Sequence, residues 1–134
     1  MTKVIVNGTF DVLHLGHLRM LEFARSMPNS YVLVLIDSDS RVKELKGNDR
    51  PVNSAEERKI MLESLRFVDE VKVFGSDQEL IDMIKEYSPD VMVKGSDYIG
   101  KPIIGEQHCK EIQYYNYVRG YSTTNKIQSI INRR

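Results

Sequence analysis

The sequence predicts an α/β domain built on a five-stranded parallel sheet, wound with helices on both faces. Three observations carry that reading. Short β-branched or wholly apolar runs alternate with longer segments of helical periodicity, strand before helix each time. One run, Tyr31–Ile36 (YVLVLI), is apolar at every position, as a strand covered on both faces must be. The 134 residues contain no linker, internal repeat or low-complexity stretch, so residues 1–134 are expected to be a single domain.

The elements follow in order. Lys3–Asn7 (KVIVN) is a β-branched strand that ends at Gly8. Gly16–Ser26 places Leu18, Leu21 and Ala24 among polar residues, which fits a helix with one apolar face, and Pro28-Asn29 closes it. After the apolar strand, Asp37–Asn53 is polar and contains Gly47, Asn48 and Pro51. It is expected to be a long loop, and long loops inside compact domains tend to be functional. Ser54 followed by Glu57 forms a capping box. The helix it opens is expected to run to about Arg66, with Ile60, Met61, Leu62 and Leu65 available to the core. Glu70–Phe74 is a third strand, Gln78–Tyr87 a helix stopped before Pro89, and Asp90–Val93 a fourth strand followed by Gly95. Glu106–Lys110 reads as a short helix, and Ile112–Val118 as a fifth strand. Ser122–Asn132 is a last helix with Ile127, Ile130 and Ile131 on one side. Such alternation implies crossovers between parallel strands, with the ligand beyond the strands' carboxyl ends.

Composition narrows the function. Hydrophobic residues at 41% and charged residues at 28% describe an ordinary globular chain. The 19 Lys and Arg balance the 19 Asp and Glu, which argues against a sequence-independent nucleic-acid binder. An anionic ligand would have to be held by a local cluster of cations and amides. The single Cys109 has no internal partner, fits a reduced compartment and is read as a passive side chain. No signal-peptide pattern opens the chain, and no apolar run approaches the ~20 residues that span a bilayer. The expectation is a cytoplasmic protein with no membrane and no nucleic-acid partner.

Chemistry concentrates just after strands. Gly8-Thr9-Phe10-Asp11-Val12-Leu13-His14-Leu15-Gly16-His17 follows the first. Gly8 lets the chain turn close to a ligand. His14 and His17, three apart at a helix start, bring two imidazoles together on one side of the first turn. Gly16 between them leaves room for a phosphate at the exposed amides and positive dipole end. A lone histidine here would read as a turn hydrogen-bonder. A metal pair is a second reading, for which Asp11 makes a poor third ligand. The last helix opens with Arg119-Gly120-Tyr121-Ser122-Thr123-Thr124, again a glycine turn feeding a helix, now with three hydroxyls. Any one hydroxyl reads as an N-cap; three in a row suit phosphate oxygens. Lys46, Arg50, Arg58, Lys94 and Lys101 are the nearby cations. Each singly reads as solvated surface, except Lys46 in its loop and Lys94 at a strand end.

The Gly8–His17 string, paired with Gly120–Thr124, resembles the cytidylyltransferase-like family. Its members include glycerol-3-phosphate cytidylyltransferase and the adenylyltransferase domain of ADP-heptose synthase. The resemblance runs from about Lys3 to Ile131. Ser38-Asp39-Ser40-x-Val42-Lys43-x-Leu45-Lys46-Gly47-x-x-Arg50-Pro51, Val68-Asp69 and Pro89–Tyr98 look like the heptose branch. The glycerol-phosphate branch's Arg-Thr-Glu-Gly-Ile-Ser-Thr-Thr is replaced here by Tyr117–Thr124, so its arginine falls on Tyr117, and Ile99–Tyr117 follows neither branch closely.

The resemblance implies a Rossmann-like doubly wound sheet of the His-x-Gly-His type and transfer of a nucleoside monophosphate from an NTP. The implied donor is ATP, and the acceptor a phosphorylated sugar or polyol such as heptose 1-phosphate. CTP with glycerol 3-phosphate is the alternative, and a non-catalytic nucleotide sensor the reading of another class. Carried over by position, His14 and His17 stabilise charge at the α-phosphate and Lys46 contacts the phosphates. Gly8, Thr9, Phe10 and Gly16 line the nucleotide site, and Asp11 orders the first loop. Gly120, Tyr121, Ser122, Thr123 and Thr124 hold the β- and γ-phosphates and part of the base pocket, with Arg119 at the same end. Lys94 and Asp97 belong to the nucleotide pocket. Mg²⁺ is expected to arrive with the NTP rather than in a protein cage, and the chain to form a homodimer.

Overall fold

The computed structural model describes residues 1–116 and 123–132, except the side chains of 123–126. Five strands, β1 (Thr2–Gly8), β2 (Ser30–Asp37), β3 (Glu70–Phe74), β4 (Val91–Gly95) and β5 (Glu111–Tyr115), form one parallel sheet in the order β3-β2-β1-β4-β5. The helices between and after them are α1 (Leu15–Arg25), α2 (Asp39–Lys46), α3 (Ala55–Glu63), α4 (Asp77–Tyr87) and α5 (Thr123–Asn132).

Strand alternation sorts the core into two layers. Val4, Val6, Val32, Val34, Ile36, Val71, Val91 and Val93 face one side, where Met20, Leu21 and Ala24 of α1 and Leu62 of α3 cover them. Ile5, Leu33, Leu35, Phe74 and Met92 face the other, against Leu80 and Ile84 of α4 and Ile103. The sheet is therefore doubly wound, as the sequence predicts. It also has a switch point. β2 and β3 extend outward from one side of β1, whereas β4 and β5 lie on its other side. The crevice that such a reversal opens lies at the carboxyl ends of β1 and β4, at Gly8 and at Lys94-Gly95.

Several expectations are corrected. The polar stretch 37–53 is not all loop, because Asp39–Lys46 is helical. Ser38 caps it by accepting from Arg41 N, and Gly47, at φ 105°, ends it in a conformation that L side chains rarely adopt. Val42 is its one buried residue and Leu45 is 62% exposed, so no apolar periodicity announces it. Ser54 accepts from Glu57 N, but the helix it opens stops at Glu63. Ile60 and Met61 are exposed, and Leu62 alone of α3's apolar residues is fully buried. The fourth strand begins one residue later than expected and includes Lys94 and Gly95. Glu106–His108 is one turn of 3-10 helix, and β5 ends at Tyr115. Val118 and Ser122, expected ends of a strand and a helix, lie outside the described residues. Ile130 and Ile131 of α5 are exposed, at 58% and 51%.

Candidate active site

The loop from β1 to α1 is fixed from below by a buried arginine. Arg58, 1% exposed, has every guanidinium nitrogen in use. Its Nε donates to the Asn53 carbonyl, its Nη1 to the carbonyls of Thr9 and Asp37, and its Nη2 to Asp39 Oδ1. Arg58 thus ties the carboxyl ends of β1 and β2 to the start of α3. This corrects its reading as a solvated cation. The planar five-donor fork is what lets one side chain gather four acceptors. Asp11, 2% exposed, performs the complementary task. Its Oδ1 accepts from Asn53 N (2.8 Å), and its Oδ2 from Val52 N (2.8 Å) and Arg50 Nε (3.3 Å). Segment 50–53 is thereby held against the loop that carries the motif. Between them Phe10 takes φ 50°, strained for a side chain of its size, with its ring buried in the α1-side core. A Cβ on Gly8 would stand 3.2 Å from that ring.

The two histidines cap α1 reciprocally. His14 is the N-cap, and its Nδ1 accepts from Gly16 N at 3.0 Å. His17, at the third helical position, accepts from His14 N through its own Nδ1 at 3.3 Å. This is a capping box in which both side chains are imidazoles. The rings stack with centroids 3.8 Å apart, and Phe10 lies 5.0 Å from His17. With Nδ1 of each ring engaged as an acceptor, a neutral imidazole carries its proton on Nε2. Burial, then the charges of His14 and Lys46, push the pKa of His17 down to about 3, so it is neutral at pH 7. The first turn of α1 has no acidic residue, which leaves its dipole open to an anion.

Cations stand around this turn. Lys46, the last residue of α2, lies close enough that its charge acts on His17. Burial and Arg50 push its own pKa down, against Asp37 and Asp11. Arg50 has a buried Nη2 with no hydrogen-bond partner among the described residues, beside the Nε that meets Asp11. Lys94 is 9% exposed with its Nζ 4.6 Å from the Tyr98 ring centroid. Burial lowers its pKa, opposed by Asp37 and Asp97. Among the described residues no three His, Cys, Asp or Glu side chains converge as a metal cage. Cys109 is set apart in the α4-side core, and burial and Glu106 push its thiol up to about 11. It is an uncharged thiol at neutral pH.

The structure thus gathers Gly8, Thr9, Phe10, Asp11, His14, Gly16, His17, Lys46 and Lys94 at one edge of the sheet, with Asp97 on the 3-10 turn after β4. Arg119, Gly120, Tyr121 and Ser122 lie outside the described residues. Thr123 and Thr124 open α5, and their side chains lie outside the description. Sequence reasoning passed over Asp37. It is 9% exposed at the last position of β2 and accepts from Thr9 Oγ1 at 3.4 Å. Its signal was present: an acidic residue directly after the apolar run of β2.

A parallel sheet with its switch point beside a histidine-capped helix is the frame of a nucleotide-handling α/β enzyme. The cytidylyltransferase-like family profile matches residues 5–131, and the chain belongs to that family and with it to the nucleotidyltransferases. It is 45% identical over 129 residues to the bifunctional protein HldE of Campylobacter fetus, covering 96% of this chain and 28% of that protein. The HldE of Sulfurimonas denitrificans is 46% identical over 129 residues, covering 95% and 26%. The chain therefore spans about a quarter of the length of these relatives. A lipopolysaccharide core biosynthesis protein from Thermoplasma volcanium superimposes with a TM-score of 0.66 at 21% identity, covering 88% of this chain and 99% of that one, which is a likeness of fold. No helix among the described residues is long and apolar enough to cross a membrane.

Proposed function

We propose that this domain transfers a nucleoside monophosphate from an NTP, ATP in the first place, to a phosphorylated sugar or polyol such as heptose 1-phosphate. One observation carries the reading: two stacked imidazoles stand at an acid-free helix N-terminus beside Lys46 and Arg50. The choice of ATP and of a sugar phosphate rests on the likeness of the 38–51 and 89–98 segments to the heptose branch. The relatives at 45% identity agree with an enzyme of carbohydrate assembly.

In the reaction a phosphate oxygen of the acceptor attacks the α-phosphorus in line. A new P–O bond forms, the bond to the bridging α–β oxygen breaks, and pyrophosphate leaves with that electron pair. The nucleophile is already an anion at neutral pH, so no general base is needed. Catalysis is positioning and neutralisation of spread charge. His14 and His17 donate to oxygens at the α-phosphate. Lys46 and Arg50 Nη2 take the β- and γ-phosphates. Thr9, Phe10 and Asp97 border the nucleoside, and residues 119–124 complete the triphosphate site. Imidazole and ammonium groups, rather than a carboxylate cage, suit Mg²⁺ held by the triphosphate's own oxygens, where the ion would offset their charge. The domain acts in the cytoplasm as a homodimer.

The test is pyrophosphate release across ATP, CTP, GTP and UTP, each with heptose 1-phosphate and glycerol 3-phosphate. Highest kcat/KM for ATP with heptose 1-phosphate is expected. A maximum for CTP with glycerol 3-phosphate would replace donor and acceptor within the same class. Tight nucleotide binding with no release on any acceptor would make the domain a sensor and overturn the proposal.

A further inference from the structure

Three adjacent strands place three polar side chains on one face at the switch point. Asn7 of β1 pairs in register with Leu35, and Asp37 of β2 with Phe74, both members of the α4-side core. Lys94 of β4 is two residues beyond Met92 of that same core. Strand alternation therefore sends Asn7, Asp37 and Lys94 toward the α4 side. His17, against Phe10, lies on the α1 side. The two sets flank the carboxyl end of β1 from opposite faces.

Among the described residues the three have few partners. Asn7 Oδ1 is buried without a hydrogen-bond partner among the described residues. Lys94 is buried with its Nζ over the Tyr98 ring; the charges of Asp37 and Asp97 act on it, yet among the described residues it makes no ion pair with either. Among the described residues the Asp37 carboxylate has one long hydrogen bond, from Thr9, and lies within reach of the charges of Lys46 and Lys94. Buried groups of this kind need partners, and their chemistry specifies which. An ammonium donates and wants an anion. A carboxylate and an amide oxygen accept, and a phosphate cannot serve them; O–H groups can. The pocket is complementary to a phosphate with hydroxyls beside it.

We propose that Asn7, Asp37 and Lys94 form the acceptor pocket, with Lys94 holding the acceptor's phosphate and Asp37 and Asn7 accepting from hydroxyls of the sugar or polyol attached to it. This rests on the nucleotidyl-transfer reading above and moves Lys94 from the nucleotide to the acceptor. In-line displacement supplies the reason. Attacking and leaving oxygens stand on opposite sides of the α-phosphorus. The histidine-capped helix end draws the triphosphate to the α1 face, so the acceptor approaches from the α4 face, where this pocket stands. Asp37 and Asn7 are then specificity-determining residues.

Steady-state kinetics at saturating NTP decide it, with glycerol 3-phosphate and heptose 1-phosphate as hydroxylated acceptors and methyl phosphate as an acceptor without hydroxyls. Lys94→Met is expected to raise the KM of every acceptor at least tenfold. Asp37→Ala is expected to raise the KM of the hydroxylated acceptors tenfold and to leave methyl phosphate within twofold. Asp37→Asn, which keeps the shape, is expected to do the same to a lesser degree and stands in if the alanine variant fails to fold. The KM for NTP stays within twofold throughout. A raised KM for NTP with unchanged acceptor KM would give the pocket to the nucleotide and overturn the proposal. If wild-type protein turns over no pair, the transfer reading falls by itself, and calorimetric titration of glycerol 3-phosphate still tests the pocket. Binding that Lys94→Met abolishes supports it; no binding to wild type, or equal binding to both, overturns it.

Discussion

Replacing His17 by asparagine and by glutamine separates the cap that the structure gives this ring from the phosphate contact proposed for it. Its Nδ1 accepts from His14 N at 3.3 Å and closes the cap of α1, while its Nε2 carries the proton that the proposed reaction offers to a phosphate. Asparagine puts an acceptor close to the position of Nδ1 and nothing at Nε2. Glutamine reaches the position of Nε2 with an N–H donor and gives up the cap. A lost cap costs about 1 kcal/mol, which lowers Tm by about 3–5 °C in a chain of this length. That is small against the ~5–15 kcal/mol that stabilises a typical domain, so both variants stay folded at 25 °C. A lost donor at developing charge costs about 2.7–4 kcal/mol, or roughly 10²–10³ in kcat. His17→Asn is therefore expected to melt near wild type and be slow by that factor. His17→Gln is expected to melt several degrees lower and retain most of the rate. Thermal melts by circular dichroism and initial rates of pyrophosphate release measure both. A His17→Asn enzyme as fast as wild type would remove Nε2 from catalysis. Two variants equally slow would show that the stacked ring, not its donor, is what matters.

Two further outcomes follow from buried charge. Arg58→Met removes a fully buried guanidinium and takes its donors from the carbonyls of Thr9, Asp37 and Asn53, at about 1–3 kcal/mol for each left unsatisfied; urea denaturation should show a loss of about 3–5 kcal/mol, and a loss under 1 kcal/mol would refute its role as the tie between β1 and β2. His17, at about 3 in the folded protein against an ordinary 6.5, gives the unfolded chain the greater proton uptake between those values, so stability falls as pH drops below about 6.5. Its share is at most about 1.4 kcal/mol per pH unit, and His17→Asn should flatten the fall in denaturant melts at pH 7.5, 6 and 5; parallel curves for the two proteins would count against a buried neutral ring.

Much of the architecture could be read directly because the strands are local and strongly patterned. YVLVLI admits few alternatives to a strand covered on both faces, and the observed β3 has the expected ends, Glu70 and Phe74. Helix α2 was hidden because a helix that buries only Val42 has no apolar stripe to detect. The histidines were legible as a pair, since spacing on a helix is local, but their reciprocal cap depends on ring orientation. Arg58 was misread because a charge looks solvated until the carbonyls of residues 9, 37 and 53 converge on it. Asn7, Asp37 and Lys94 meet only through strand order and register, which no single window of sequence contains.

The neutrality of His17 bears on how such a site accelerates rather than merely binds. An imidazolium would attract the triphosphate's charge strongly in the ground state, and uniform attraction of that kind lowers KM without raising kcat. A neutral Nε2 donor, held in place by its capping bond and by the adjacent ring, gains most where negative charge grows during transfer, at the oxygens around the α-phosphorus. The lasting charges are placed elsewhere: Lys46 and Arg50 beside the cap, and Lys94 on the opposite face. The proposed reaction thus assigns binding and transition-state stabilisation to different groups. The arrangement depends on dry surroundings for the imidazole, because burial is the largest cause of its depressed pKa. Phe10, forced to a left-handed backbone so that its ring lies 5.0 Å from His17, supplies part of that burial.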